Sequence, residues 1–201
     1  MGFIVLRWTL KDNMAKIRER ISWVLSDSVN LDPAYDINDF KKMGPFWGSW
    51  RTWRACQTDN VICHDMSKAA DLIKRNFQTM CNFYMPDNMY TSLDRPAGVK
   101  VYAGEFVHDV IRQEEIVALH LAATTSDIVI MLGWDLSTLD ATPDRLITNQ
   151  ERHHRNLIRQ AFVDYNQIQW VVVDHEGPID PDLTKLDNVV ADSLDTALSL
   201  F

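Results

Sequence analysis

Short, continuously apolar runs alternate along the chain with segments whose apolar residues recur every three or four positions. The runs read as strands buried on both faces, and the recurring segments as amphipathic helices. Phe3-Ile4-Val5-Leu6 suits a strand, followed by Asp12 as a cap and a helix presenting Met14, Ile17, Ile21 and Val24 on one face. Residues 26–60 are irregular and rich in aromatics, with Asp32-Pro33 and Gly44-Pro45, and read as a loop or insertion. Val61-Ile62-Cys63 predicts a second strand. Ser67 then caps a helix with Ala69, Leu72, Ile73, Phe77, Met80 and Cys81 inward. After Cys81 a loop follows, containing Pro86, Asp87, Asn88, Pro96 and Gly98.

Val99–Ala103 predicts a third strand, residues 109–123 a helix, and Asp127–Leu132 the plainest strand of all. Thr142-Pro143-Asp144 is a helix start, with a cap, a proline at the first helical position and an acid in the first turn. That helix runs toward Tyr165 and leads to a strand over Gln169–Val173. Asn188–Ala191 suits a short further strand, with Asp192 capping a last helix. Strand–helix alternation implies parallel pairing. The expectation is one α/β domain over residues 1–201. Its architecture is three-layer and Rossmann-like or flavodoxin-like, with a mainly parallel sheet of about five strands and helices on both faces. The Trp-rich loop lies at about 26–60.

Composition narrows the class. Hydrophobic residues make up 46% and charged residues 24%, the balance of a globular chain with a core. No apolar run approaches the ~18 residues of a membrane span. The start lacks a small-residue cleavage site, and three cysteines form no CxxC pair, so a cytoplasmic location with reduced thiols is expected. Net charge is −8 and uneven. Residues 1–100 carry 14 basic and 11 acidic side chains, and residues 101–201 carry 6 and 17. An acidic whole argues against nucleic acid as a partner.

Ligands of open parallel sheets bind beyond the carboxyl ends of the strands. The residues there include His64-Asp65, Gly104-Glu105, Trp134-Asp135 and Asp174-His175-Glu176. Neither GxGxxG nor GxxxxGK[ST] occurs, so a glycine-rich phosphate cradle is not expected. Acids at strand ends suit sugar hydroxyls, general acid–base work or a bound Mg²⁺, and no other cofactor is implied. Adjacent His153 and His154 point about 100° apart on a helix, so they do not grip one metal ion. A second candidate is Trp47, Trp50 and Trp53, spaced by three with Arg51 and Arg54 between. On a helix these indoles would share a face, fit to stack a base or anchor a protein partner. The alternative function is therefore a non-catalytic protein-interaction module. Homo-oligomerisation stays open.

Residues 99–174 resemble nucleoside 2-deoxyribosyltransferases and related Rossmann-like nucleoside-processing domains. The resemblance rests on Val101-Tyr102-Ala103-Gly104-Glu105-Phe106, Ser126–Leu132, Glu151, Ala161 and Trp170–Val173. It implies Glu151 as the nucleophile on the sugar's anomeric carbon, with Asp135 as its neighbouring acid. Tyr102 and Gly104 would line a nucleoside pocket. In this reading Glu105, Asp135 and Glu151 are the catalytic acids. His64, Asp65, Asp174 and His175 join the ligand site, with His64 or His175 carrying protons. The ligand would be a nucleoside or nucleotide, and the chemistry transfer or hydrolysis of an N-glycosidic bond. The family's Asp-Ser-Gly-Thr turn is replaced by Asp-Leu-Ser-Thr at 135–138.

Overall fold

The computed structural model describes residues 20–27, 40–102, 113–136, 149–173 and 179–193. Eight strands form one wholly parallel sheet. They are β1 (Ile21–Leu25), β2 (Phe46–Ser49), β3 (Asn60–Ile62), β4 (Asn82–Pro86), β5 (Lys100–Tyr102), β6 (Ile128–Leu132), β7 (Gln169–Val173) and β8 (Val189–Asp192). Their order is β5-β4-β3-β2-β1-β6-β7-β8. Six helices among the described residues connect them: α1 (Trp50–Cys56), α2 (Met66–Lys74), α3 (Asp87–Ser92), α4 (Gln113–Thr125), α5 (Asn149–Asp164) and α6 (Pro181–Thr184). No described helix is long and apolar enough to cross a membrane.

The expected parallel α/β architecture is present, but the strand count is eight rather than about five. Three strands lie where none was expected. Ile21 and Val24 fit the helical spacing of Met14 and Ile17, yet they belong to β1 at the centre of the sheet. β1 pairs with β6 from Ile21↔Ile128 to Leu25↔Leu132. Between two strands its residues Ser22 to Leu25 are buried, a demand no isolated helical face satisfies. The loop expected over 26–60 contains β2 and α1. The loop expected after Cys81 contains β4 and α3, with proline at the last position of β4, where a missing donor costs little. The helix from residue 66 stops at Lys74, and Phe77 lies in a 3₁₀ turn. Its cap is Asp65 and not Ser67. The expected elements over 3–6 and 12–19, the helix start at Thr142 and the last helix after Asp192 fall outside the described residues.

Side chains alternate between the two faces of each strand. Val24, Ile62, Val129, Met131 and Val172 face α4, α5 and α6. Trp23, Leu25, Ile130, Leu132 and Val173 face the opposite side, as do Val61 and Phe83, where α1, α2 and α3 pack. α4 carries the chain from the β5 edge back across the sheet to β6, so it is buried nearly all round, with Ile116 to Leu119 at 5% exposure or less. Within this core Ser22 is satisfied by Trp47 Nε1 at 3.3 Å and Ser126 Oγ at 2.7 Å. The direction of winding along the sheet reverses between β1 and β6, because successive strands from β1 to β5 are added on one side and those from β6 to β8 on the other. Such a switch point opens a crevice at the carboxyl edge.

Candidate functional site at the switch point

The crevice is built around Asp27, two residues past the end of β1. Its Oδ1 accepts hydrogen bonds from Thr52 Oγ1 at 2.9 Å and from Ser49 Oγ, and its Oδ2 faces Arg51 Nη1 at 3.3 Å. Ser49 also caps α1, its Oγ accepting from the Arg51 and Thr52 amides at 3.0 and 3.2 Å. Gly48 permits this approach, since a Cβ there would stand 3.0 Å from the Thr52 Cβ. One serine thus closes a helix and orients a carboxylate from the neighbouring strand.

Two more carboxylates arrive from below, at the first turn of α4. Glu115 accepts from Ser26 Oγ at 3.1 Å and from the Asp27 amide, so it pins the loop that carries Asp27. Glu114 accepts from the His64 amide at 2.7 Å, pinning the loop after β3. Acids in a helix's first turn also match its dipole. Both are buried, at 8% and 3% exposure. Burial pushes the Glu114 carboxyl up to about 7, with Asp27 adding to the push and the His64 amide opposing it.

The far wall comes from β6 and α5. Gly133 turns with φ of +71°, a conformation open to glycine. Trp134 then folds back so that its Nε1 donates to the Val24 carbonyl at 3.0 Å. His154 stacks on Trp134 with 10° between planes, and its Nε2 lies 3.9 Å from Glu115 Oε2. Arg155 pairs with Asp135 at 3.7 Å. Glu151, half-buried on the first turn of α5, precedes His154 by three positions and Arg155 by four, so the three share a helix face.

The expected site residues divide accordingly. Asp135 and Glu151 stand on the β6–α5 wall. Tyr102 is 5% exposed, and its hydroxyl meets His64 Nε2 across the end of β4. Burial lowers the His64 pKa to about 4, so its ring is neutral at physiological pH. Asp65 is exposed and caps α2 through the Lys68 amide at 2.9 Å. Gly104, Glu105, Asp174 and His175 lie outside the described residues.

The three indoles do not share a face. Trp47 is in β2, 4% exposed and packed toward α4 against Tyr84, 5.4 Å between centroids. Trp50 and Trp53 pack on the opposite side of the sheet, Trp53 edge-on to Phe77 at 4.6 Å. β2 ends at Ser49, and that break from strand to helix sends Trp47 one way and its neighbours the other.

Sequence reasoning missed Asp27, Ser49, Thr52, Glu114, Glu115 and His154. The available signals were Ser26-Asp27 after the apolar run Ile21–Leu25, and Ser49 three residues before Thr52. Among the described residues no three His, Cys, Asp or Glu side chains are grouped to hold a metal ion. No family model, curated protein or solved structure matches the chain.

Proposed function

We propose that the crevice between β1 and β6 binds a nucleoside- or nucleotide-type ligand and that its chemistry is transfer or hydrolysis of an N-glycosidic bond. The observation that carries this reading is that two carboxyls in unlike surroundings, Asp27 after β1 and Glu114 under the loop after β3, lie near enough at the carboxyl edge for one to act on the other. Asp27 is ringed by hydroxyl and guanidinium donors. Glu114 is buried and holds its proton up to about pH 7. Environments that differ in this way assign one carboxyl to charge stabilisation or attack and the other to proton donation. Asp27 reads sugar hydroxyls or stabilises positive charge at the anomeric carbon. Glu114 donates its proton to the departing base nitrogen as the C–N bond breaks, the bonding pair leaving with the base. Glu151 is the candidate nucleophile from the opposite wall, with Asp135 and Arg155 beside it. Water or a second free base then displaces the carboxylate and completes hydrolysis or transfer.

The test is incubation with ribo- and deoxyribonucleosides, with and without a second free base, followed by chromatography for released or exchanged base. Cleavage that falls about a hundredfold in Asp27→Asn supports the reading. If no nucleoside or nucleotide is cleaved and none raises the melting temperature, the reading is overturned.

A further inference from the structure

We propose that the ligand of this crevice carries an anionic group of phosphate chemistry, bound by Arg51 and Lys68. The inference rests on the nucleoside reading and narrows it to a nucleotide. Trp50 opens α1 directly after β2, at the same edge as Asp27. Two cations lie over its ring, Lys68 Nζ at 4.6 Å and the Arg51 guanidinium carbon at 5.6 Å from the centroid. One indole thus holds two cations beside the carboxylate crevice, one from each of two successive strand–helix units.

Neither cation is placed for the good of its own helix. Both stand in first turns, where the helix dipole disfavours positive charge. Their counter-charges are also thin. Lys68 is 3.8 Å from Asp71, but Asp71 is held more closely by Arg75, whose Nε and Nη2 both lie 3.2 Å away. Arg51 gives one edge of its guanidinium to Asp27 and keeps 58% of its side chain exposed. A guanidinium has five donors in a planar fork, so one bond to Asp27 leaves a second edge for a phosphate oxygen. Stacking on the indole fixes that edge before any ligand arrives. Asp27 would then face the ribose while Arg51 bridges it to the phosphate.

The experiment is calorimetric titration of the full chain with a nucleoside, its 5′-monophosphate and inorganic phosphate, at low and raised salt. The monophosphate should bind at least about tenfold tighter than the nucleoside at low salt, with the gap narrowing as salt rises. Lys68→Gln should shrink the gap and leave nucleoside affinity unchanged. Arg51→Gln serves as a second variant, and unchanged melting temperatures show that both fold. Equal wild-type affinity for nucleoside and monophosphate overturns the anion site and leaves the nucleoside reading standing. A preference that survives both substitutions also overturns the assignment. Phosphate binding without nucleoside or nucleotide binding upholds the anion site and overturns the nucleoside reading. Binding of none of the three overturns both.

Discussion

Replacing Glu114 with glutamine isolates the cost of burying a carboxylate at the crevice. In the folded chain burial raises this carboxyl from 4.5 to about 7, so the folded state binds its proton more tightly than the unfolded chain does. The contribution is therefore fully favourable below pH 4.5 and is lost as pH rises through about 7. At about 1.4 kcal/mol per pH unit, the loss has a ceiling of roughly 3 kcal/mol. Glutamine keeps an oxygen for the His64 amide and carries no charge to desolvate. His64 acts in the opposite sense. Its contribution stands above pH 6.5 and is lost as pH falls toward 4, but it is common to both proteins and cancels in their difference. The assay is urea unfolding of wild type and Glu114→Gln across this pH range. The stability of the variant relative to wild type should improve by about 1–3 kcal/mol between pH 4.5 and about 8. Parallel pH profiles, with a constant difference, would refute the burial argument.

Other expectations follow from single contacts. Ser49→Ala removes the α1 cap and one donor to Asp27 together, and should cost about 1–2 kcal/mol in urea unfolding. A loss within error of zero would mean that neither bond contributes. Trp134→Phe should cost about 1 kcal/mol more than Trp170→Phe, because Trp134 donates to the Val24 carbonyl while the buried Trp170 Nε1 has no partner among the described residues. Equal midpoints would contradict this. Burial pushes the Cys63 and Cys81 thiols up to about 12 and raises that of Cys56. At about pH 8 the buried Cys56 and Cys63 should react with a disulfide reagent only as fast as the chain opens, leaving the half-buried Cys81 as the most reactive of the three. Immediate reaction of more than one thiol in the native protein would contradict this.

The strands that residue pattern announced most plainly are those built on an unbroken apolar run with marked ends. β6 is such a run of five and β7 carries four after Gln169, and apolar runs flanked by turn residues persist as strands whichever neighbours they find. β1 is different. Ile21-Ser22-Trp23-Val24-Leu25 satisfies helical and extended spacing alike, and only its place between β2 and β6 decides for strand. β2 and β4 are short and sit beside Gly44-Pro45 or end in Pro86, which read as loop in isolation. Their pairing with neighbours supplies the hydrogen bonds and burial that local propensity lacks.

The class of fold, parallel strands alternating with helices, is legible in the residues alone, because hydrophobic periodicity is written residue by residue. The sequence also singled out the carboxyl edge as the place to look for a site, because chain polarity in a parallel sheet puts every strand's carboxyl end on one side. Which polar residues meet there depends on the order of the strands and the path of the helices between them. Glu114 and Glu115 look like the first-turn acids of any surface helix. They reach the loops after β3 and β1 because α4 crosses from one edge of the sheet to its centre. Asp27 and Ser49 lie 22 positions apart and touch because β1 and β2 are neighbours. Strand order is settled by the joint burial of both faces, a property of the whole sheet that no single segment carries.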